Sequence, residues 1–219
     1  VMATSIMTFM RIWDAITDPI VGYIVDKTDG KFGKNRPFMA AGNIVFLITT
    51  FLMFFTTHHL PEQFRFIYFL VIYLIYIIGY TLQTVVTKSA QSCLTNDPKQ
   101  RPTFGIYDGI YNATLFALVP GFVAQHLVPK YGGFSAELFQ ELWIYIAPVT
   151  VIFTWLAIYA LKDKDRTEFF GTGEPVKVTF RDYWDVLKNT RAIQMLVVSA
   201  STDKLAALVT TNATVSVII

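Results

Sequence analysis

Charge is what this chain has least of. Only 16% of its 219 residues are Asp, Glu, Lys or Arg, against about 25% in ordinary soluble domains, while 53% are hydrophobic and 16% aromatic. That leaves too little polar surface to cover a soluble globule, so the composition describes a membrane protein. Cysteine is scarcer still. Cys93 stands alone, which excludes an internal disulfide, matches no metal spacing and predicts a packing role. Three histidines are all the chain has; the adjacent pair His58 and His59 reads as interfacial turn rather than metal ligands. Also missing are a glycine-rich phosphate loop, a Ser-His-Asp order and a His/Cys metal motif, which removes the common enzyme classes. The net charge of +2 offers no case for nucleic acid.

What is present is a series of long apolar runs. Phe38–Thr57, Phe66–Thr87, Thr103–Leu127 and Leu142–Leu161 are each long enough to span a bilayer, and Ala192–Ile219 is a more polar fifth. The segment up to about Val25 is a sixth. It begins with Val1 rather than Met and lacks the basic flank of a signal peptide, so the chain reads as cut at both ends.

Lys and Arg placement sets the orientation. Thirteen basic residues, among them Lys27, Lys31, Lys34, Arg36, Lys99, Arg101, Lys162 and Arg166, fall in one set of loops; only Arg65 and Lys130 fall in the other. The first set is therefore cytoplasmic. Arg11, Lys88 and Lys204 lie within spans. From Lys162 to Arg191 the chain is polar, with Gly171 to Pro175 at its middle, and this loop separates a bundle over 1–161 from a further membrane helix over 192–219. Within it, Phe180, Tyr183, Trp184 and Leu187 share one helical face behind Thr179, the pattern of a short helix at the membrane surface. Gly105 and Gly109, four apart, predict a close approach of two helix backbones.

The most telling stretch is Arg11-Ile-Trp-Asp14-Ala-Ile-Thr17-Asp18-Pro19. Ionised groups at the centre of a membrane helix cost roughly 2.5–3.5 kcal/mol each on insertion scales, and they normally face a bundle interior or a water-filled cavity. Spacings of three and four put Arg11, Asp14 and Asp18 on one helix face. At 1.5 Å per residue Asp18 lies about 12 Å and Asp14 about 18 Å from Asp26 at the cytoplasmic end, which brackets the bilayer midplane, where transporters place coupling ions. One acid and one base would suffice for a packing salt bridge; the second acid points to an ion site.

The run from Arg11 to Asp26, followed by Gly33-Lys34-Asn35-Arg36-Pro37, resembles the glycoside–pentoside–hexuronide:cation symporter family of the major facilitator superfamily. Gly79-Tyr80-Thr81, the turn from Thr95 to Arg101 and Lys188-Asn189 extend the resemblance over most of the chain. It implies an all-α polytopic fold with this chain as helices II to VI, the central cytoplasmic loop and helix VII. It also implies symport of a sugar, glycoside or hexuronide with sodium or a proton by alternating access, in a bacterial cytoplasmic membrane, by a monomer. The family's two cation-site aspartates fall on Asp14 and Asp18, and its helix IV threonine on Thr81. Thr17 replaces its asparagine. Hard cations prefer oxygen ligands, and these four side chains supply them; a proton needs only one carboxylate made to hold it by burial or by a like-charged neighbour, which Arg11 opposes. No cofactor is implied beyond the coupling ion.

On the sugar side the family pattern changes. Its helix IV aspartate and tryptophan align with Thr84 and Lys88, and its helix V arginine with Gly109 beside Asp108; these changes argue against an α-galactoside. Three readings of Lys88 stand: it binds an anionic group such as a hexuronide carboxylate, it pairs with Asp14, Asp18 or Asp108, or it snorkels to the cytoplasmic interface. Pairing with the helix II acids would put an ammonium in the ion's place. Asp108 and Asn112 form a polar face suited to sugar hydroxyls or to bridging Lys88, and Asp203, four residues from Ser199, is a further candidate for the cavity. Asp26, Lys27, Lys34 and Arg36 form a charged loop that suits a cytoplasmic gate as well as topogenesis.

Rival readings fare worse. Intramembrane aspartyl proteases draw their two acids from different helices and carry a Gly-x-Gly-Asp motif absent here. A lysolipid carrier of the same fold predicts an apolar cavity, against Lys88, Asp108, Asn112 and Asp203; a transporter-like sensor predicts binding without flux.

Overall fold

The computed structural model describes residues 2–28, 30–95, 97, 99–166 and 188–218. Their regular structure is entirely helical: α1 (Met2–Lys27), α2 (Arg36–Phe55), a 3-10 turn (Thr57–His59), α3 (Glu62–Leu94), α4 (Arg101–Phe122), a π-helical turn (Val123–Leu127), α5 (Val128–Tyr131), α6 (Ala136–Ala160) and α7 (Arg191–Ile218). The chain divides into two compact units, Val1–Gly171 and Thr172–Ile219. In the second, α7 covers the expected last span. The expected interfacial helix of Phe180, Tyr183, Trp184 and Leu187 lies outside the described residues.

Local sequence sets the helix ends. Pro37 and Pro102 open α2 and α4 at positions where a missing N–H costs nothing. Ser135 caps α6 by accepting from the Leu138 amide at 3.3 Å. Arg36–His59, Glu62–Gln91 and Ala136–Ala160 are long and apolar enough to cross a membrane; α1, α4 and α7, of 26, 22 and 28 residues, are more polar. The 33 residues of α3 extend about 50 Å, more than the roughly 30 Å hydrocarbon core, so its ends reach into the interfaces.

In the first unit, α2 lies antiparallel to α3 and alongside α6, while α1 runs parallel to α3. Trp13 donates its indole N–H to the Leu74 carbonyl at 3.4 Å and fixes the register of α1 on α3. Toward the basic end, Val21, Val25, Met39, Val86, Ala90, Ile158 and Leu161 close one buried cluster drawn from all four of these helices. Toward the other end, Trp143 donates to the Thr50 hydroxyl at 3.0 Å and Gln140 to the Phe54 carbonyl at 3.1 Å, holding α6 on α2.

The close backbone approach occurs at other glycines than expected. A Cβ on Gly79 would sit 2.9 Å from Val45 Cγ1 and 3.1 Å from the Phe46 nitrogen, and one on Gly42 2.9 Å from Leu82 Cβ. Gly42 and Gly79 thus let α2 and α3 meet, in the small-residue packing that membranes favour. Gly105 and Gly109 face open space, where an added Cβ would meet nothing within 4 Å, which corrects the expectation of packing there: spacing marked a small-residue stripe, but only a facing helix makes one an interface. Gly79→Val is expected to lower the melting temperature in detergent by the equivalent of about 1–3 kcal/mol of overpacking, whereas Gly105→Ala leaves it unchanged or slightly raised; circular dichroism melts of both variants make the check.

Candidate cation and sugar site

Helix α1 carries its acids beside α3. Asp14 accepts a hydrogen bond from the Thr81 hydroxyl at 3.4 Å, and Arg11 stands 3.9 Å from the other oxygen of that carboxylate, with its own side chain 72% exposed. Asp18, one turn further, is exposed and lies next to the Thr81 hydroxyl and within the field of Asp14. Thr81 itself is fully buried. Two carboxylates on one helix therefore converge on one hydroxyl of another. Thr17 is buried as well and turns its hydroxyl onto the Asp14 carbonyl at 3.1 Å.

The second polar group lies about two turns further along α3. Lys88 donates to Asp108 of α4 at 2.8 Å, and Asn112 donates to the same carboxylate at 3.3 Å and to the Asp108 carbonyl at 2.9 Å. Of the three sequence readings of Lys88, the pairing with Asp108 is the arrangement observed; no ion pair joins it to Asp14 or Asp18 among the described residues. Thr84, between the two groups, bonds to the Tyr80 and Thr81 carbonyls at 3.2 and 3.1 Å. Asp203 is exposed on α7, in the second unit.

Charge arithmetic separates the two groups. Lys88 and Asp108 cancel, and with Asn112 they leave a neutral, hydrogen-bonding surface. When ionised, Asp14 and Asp18 carry two negative charges against one positive charge on Arg11, which touches only one of them. The balance of one negative charge is what a monovalent cation would neutralise.

At the basic end the charged loop is tied down by a residue that sequence reasoning missed. Asp165, 1% exposed, accepts from the backbone amides of Lys34 (3.2 Å), Asn35 (2.9 Å) and Arg36 (2.9 Å) and from the Asn35 side chain (3.1 Å). It satisfies the orphan N–H groups at the start of α2 from 130 residues away. Gly33, at φ +87°, is pressed against it: a Cβ there would fall 2.3 Å from the Asp165 carbonyl oxygen. Asn35, fully buried, also donates to Cys93 Sγ at 3.4 Å, which gives the lone cysteine its packing role. One signal was available: an acid just beyond a helix C-terminus opposes the dipole and so asks for a partner elsewhere. Of the expected loop residues, Asp26 pairs with Lys34, Arg36 donates to the Phe32 carbonyl at 3.4 Å, and Lys27 lies over the Tyr23 ring at 4.4 Å. At the opposite end, Glu141 binds Lys130 and Tyr131 together and pushes the Lys130 ammonium's pKa up.

A bundle of long apolar helices with two acids gathered on a hydroxyl of a neighbouring helix is the architecture of a membrane carrier. Residues 1–215 match the model of the MFS/sugar transport protein family, and the chain belongs to it, a family of transport proteins rather than enzymes. It is 29% identical over 174 residues to the inner membrane symporter YicJ of Escherichia coli, covering 80% of this chain and 37% of that protein. It is 37% identical over 91 residues to the putative glycoside/cation symporter YagG of the same organism, 42% of this chain and 20% of that one. It is also 27% identical over 127 residues to the lactose permease of Lactobacillus helveticus, 54% of this chain and 20% of the permease. The chain thus spans between about a fifth and somewhat over a third of these relatives.

Asp165→Ala removes the acceptor from three backbone amides at once. It is expected to destabilise the first unit by at least about 1–3 kcal/mol and to raise the rate at which maleimide labels Cys93; labelling kinetics on the otherwise cysteine-free chain read this directly, and an unchanged rate would contradict the role given to Asp165.

Proposed function

We propose that the protein to which this chain belongs is a secondary active transporter of a bacterial cytoplasmic membrane, coupling entry of a neutral sugar or glycoside to a monovalent cation. The observation that carries this reading is the convergence of Asp14 and Asp18 on Thr81 at mid-membrane depth, with one uncompensated negative charge. Three oxygen-bearing side chains on two helices favour sodium; a proton on one carboxylate is the other cation that would close the charge balance. Family membership and relatives named as glycoside/cation symporter and lactose permease support the sugar.

The neutral face made by Lys88, Asp108 and Asn112, with Thr84 beside it, is suited to sugar hydroxyls. With Lys88 held by Asp108, a carboxylate-bearing substrate would have to break that pair, which favours uncharged glycosides. Asp26, Lys34 and Arg36, gathered at the basic end with Asp165, act as a cytoplasmic gate whose pieces move together.

The test is uptake into proteoliposomes. A labelled panel of a galactoside, a xyloside, a glucuronide and a lysolipid is offered with and without sodium and proton gradients. Gradient-driven accumulation of a neutral glycoside is expected, abolished in Asp18→Asn; flux indifferent to both gradients and to Asp18 would remove the cation site. Thr81→Val, which deletes one oxygen and leaves both charges, is expected to raise the sodium concentration for half-maximal uptake by roughly tenfold, the equivalent of about 1.4 kcal/mol, if the ion is sodium, and to leave a proton-driven rate nearly unchanged.

A further inference from the structure

Outside the central site, one unexplained feature is a cavity of about 500 Å³ at the basic end, between the loop that precedes α2 and the turn that follows α6. Four cations line it: Lys31 and Arg36 from the first segment, Lys162 and Arg166 from the second. The acid in its wall is Asp165, whose two oxygens are occupied by the start of α2 and by the Asn35 amide. Among the described residues the nearby acids do little to offset the cations. Asp26 is taken by Lys34, and Asp163 meets Arg166 only at 3.9 Å in an open, solvent-exposed pair. Among the described residues no acid pairs with Lys31 or Lys162, and the Nε of Arg36 is buried with no hydrogen-bond partner. The wall also holds Phe32, 67% exposed.

We propose that this cavity is a binding site for the phosphate headgroup of an anionic phospholipid of the cytoplasmic leaflet. Like charges gathered around a concave space repel one another unless an anion sits among them, and Arg36 lines that space with a guanidinium of the kind that pairs with phosphate oxygens. Position selects the source. Lys162 and Arg166 follow directly on the last turn of the membrane-crossing α6, so they stand at headgroup level, where basic pockets between membrane helices hold anionic lipid. Phe32 offers the apolar contact that acyl chains would use and a free phosphate would not. A lipid held there would touch both segments that Asp165 joins, and so would weight the closed arrangement of this end according to the charge of the leaflet.

Native mass spectrometry of the delipidated chain in detergent tests this. Titration with phosphatidylglycerol is expected to give one tight adduct, while uncharged-overall phosphatidylcholine binds far more weakly. Lys31→Gln/Lys162→Gln, two exposed residues that pair with no acid among the described residues and whose loss spares the fold, is expected to weaken phosphatidylglycerol about thirtyfold, on the order of fivefold per cation. Lys99→Gln/Lys188→Gln, which removes the same charge elsewhere, leaves it unchanged. Equal weakening by both pairs would mean diffuse attraction and overturn the site; so would phosphatidylcholine binding as tightly. Displacement of the lipid by inorganic phosphate below millimolar concentration would overturn the lipid assignment in favour of a free anion.

Discussion

The bilayer offers no water to satisfy a stray amide, so every polar group that enters it must find its partner in the protein, and the arrangement of this chain follows from that constraint. Burial makes the same demand outside the hydrocarbon, and Asp165, 1% exposed at the basic end, meets it most economically. By accepting from Lys34, Asn35 and Arg36 it supplies the cap that Asn35, with no side-chain capping bond of its own, does not give α2. It fixes where α6 ends relative to where α2 begins, and the buried cluster of Val25, Met39, Val86 and Leu161 then packs above a closed floor. Asn35 extends the contact to α3 through Cys93. Three helices are registered at one end by one carboxylate.

The mid-membrane charges obey the same constraint with a different result. Lys88 and Asp108 satisfy each other, and Asn112 completes the group; nothing further is needed there to hold the charges. Asp14 and Asp18 are not satisfied in this way. Thr81 donates a single hydrogen, and Arg11 reaches one acid at long range while most of its side chain stays exposed. A protein that left a net charge at this depth would normally be the less stable for it, and the imbalance is tolerable where a mobile ion supplies the missing charge.

The fold class and the number of long helices were legible in the sequence, because apolar runs are a one-dimensional signal, whereas Thr81 was joined to Asp14 only through the family resemblance. What escaped was pairwise. Lys88 had three admissible partners on spacing alone, and only the placement of α4 singles out Asp108. Gly105 and Gly109 have the better sequence spacing, yet Gly42 and Gly79 make the contact, because they belong to different helices and no local pattern links positions 42 and 79. Asp165 lay in a polar run with Lys162, Asp163, Lys164 and Arg166 and looked like one more surface charge; its burial depends on a loop 130 positions earlier.

The π-helical turn at Val123–Leu127 has a consequence for phase. A π turn inserts one residue more than an α turn would use, and each residue carries the chain about 100° around the axis, so everything after Leu127 faces a direction that the pitch of α4 alone would not give it. That offset aims Lys130 and Tyr131 together at Glu141 of α6, although α4 itself presents mostly exposed residues. The turn thus works as a vernier: the face of α4 that carries Asp108 to Lys88 is oriented independently of the end by which the helix is fastened to α6.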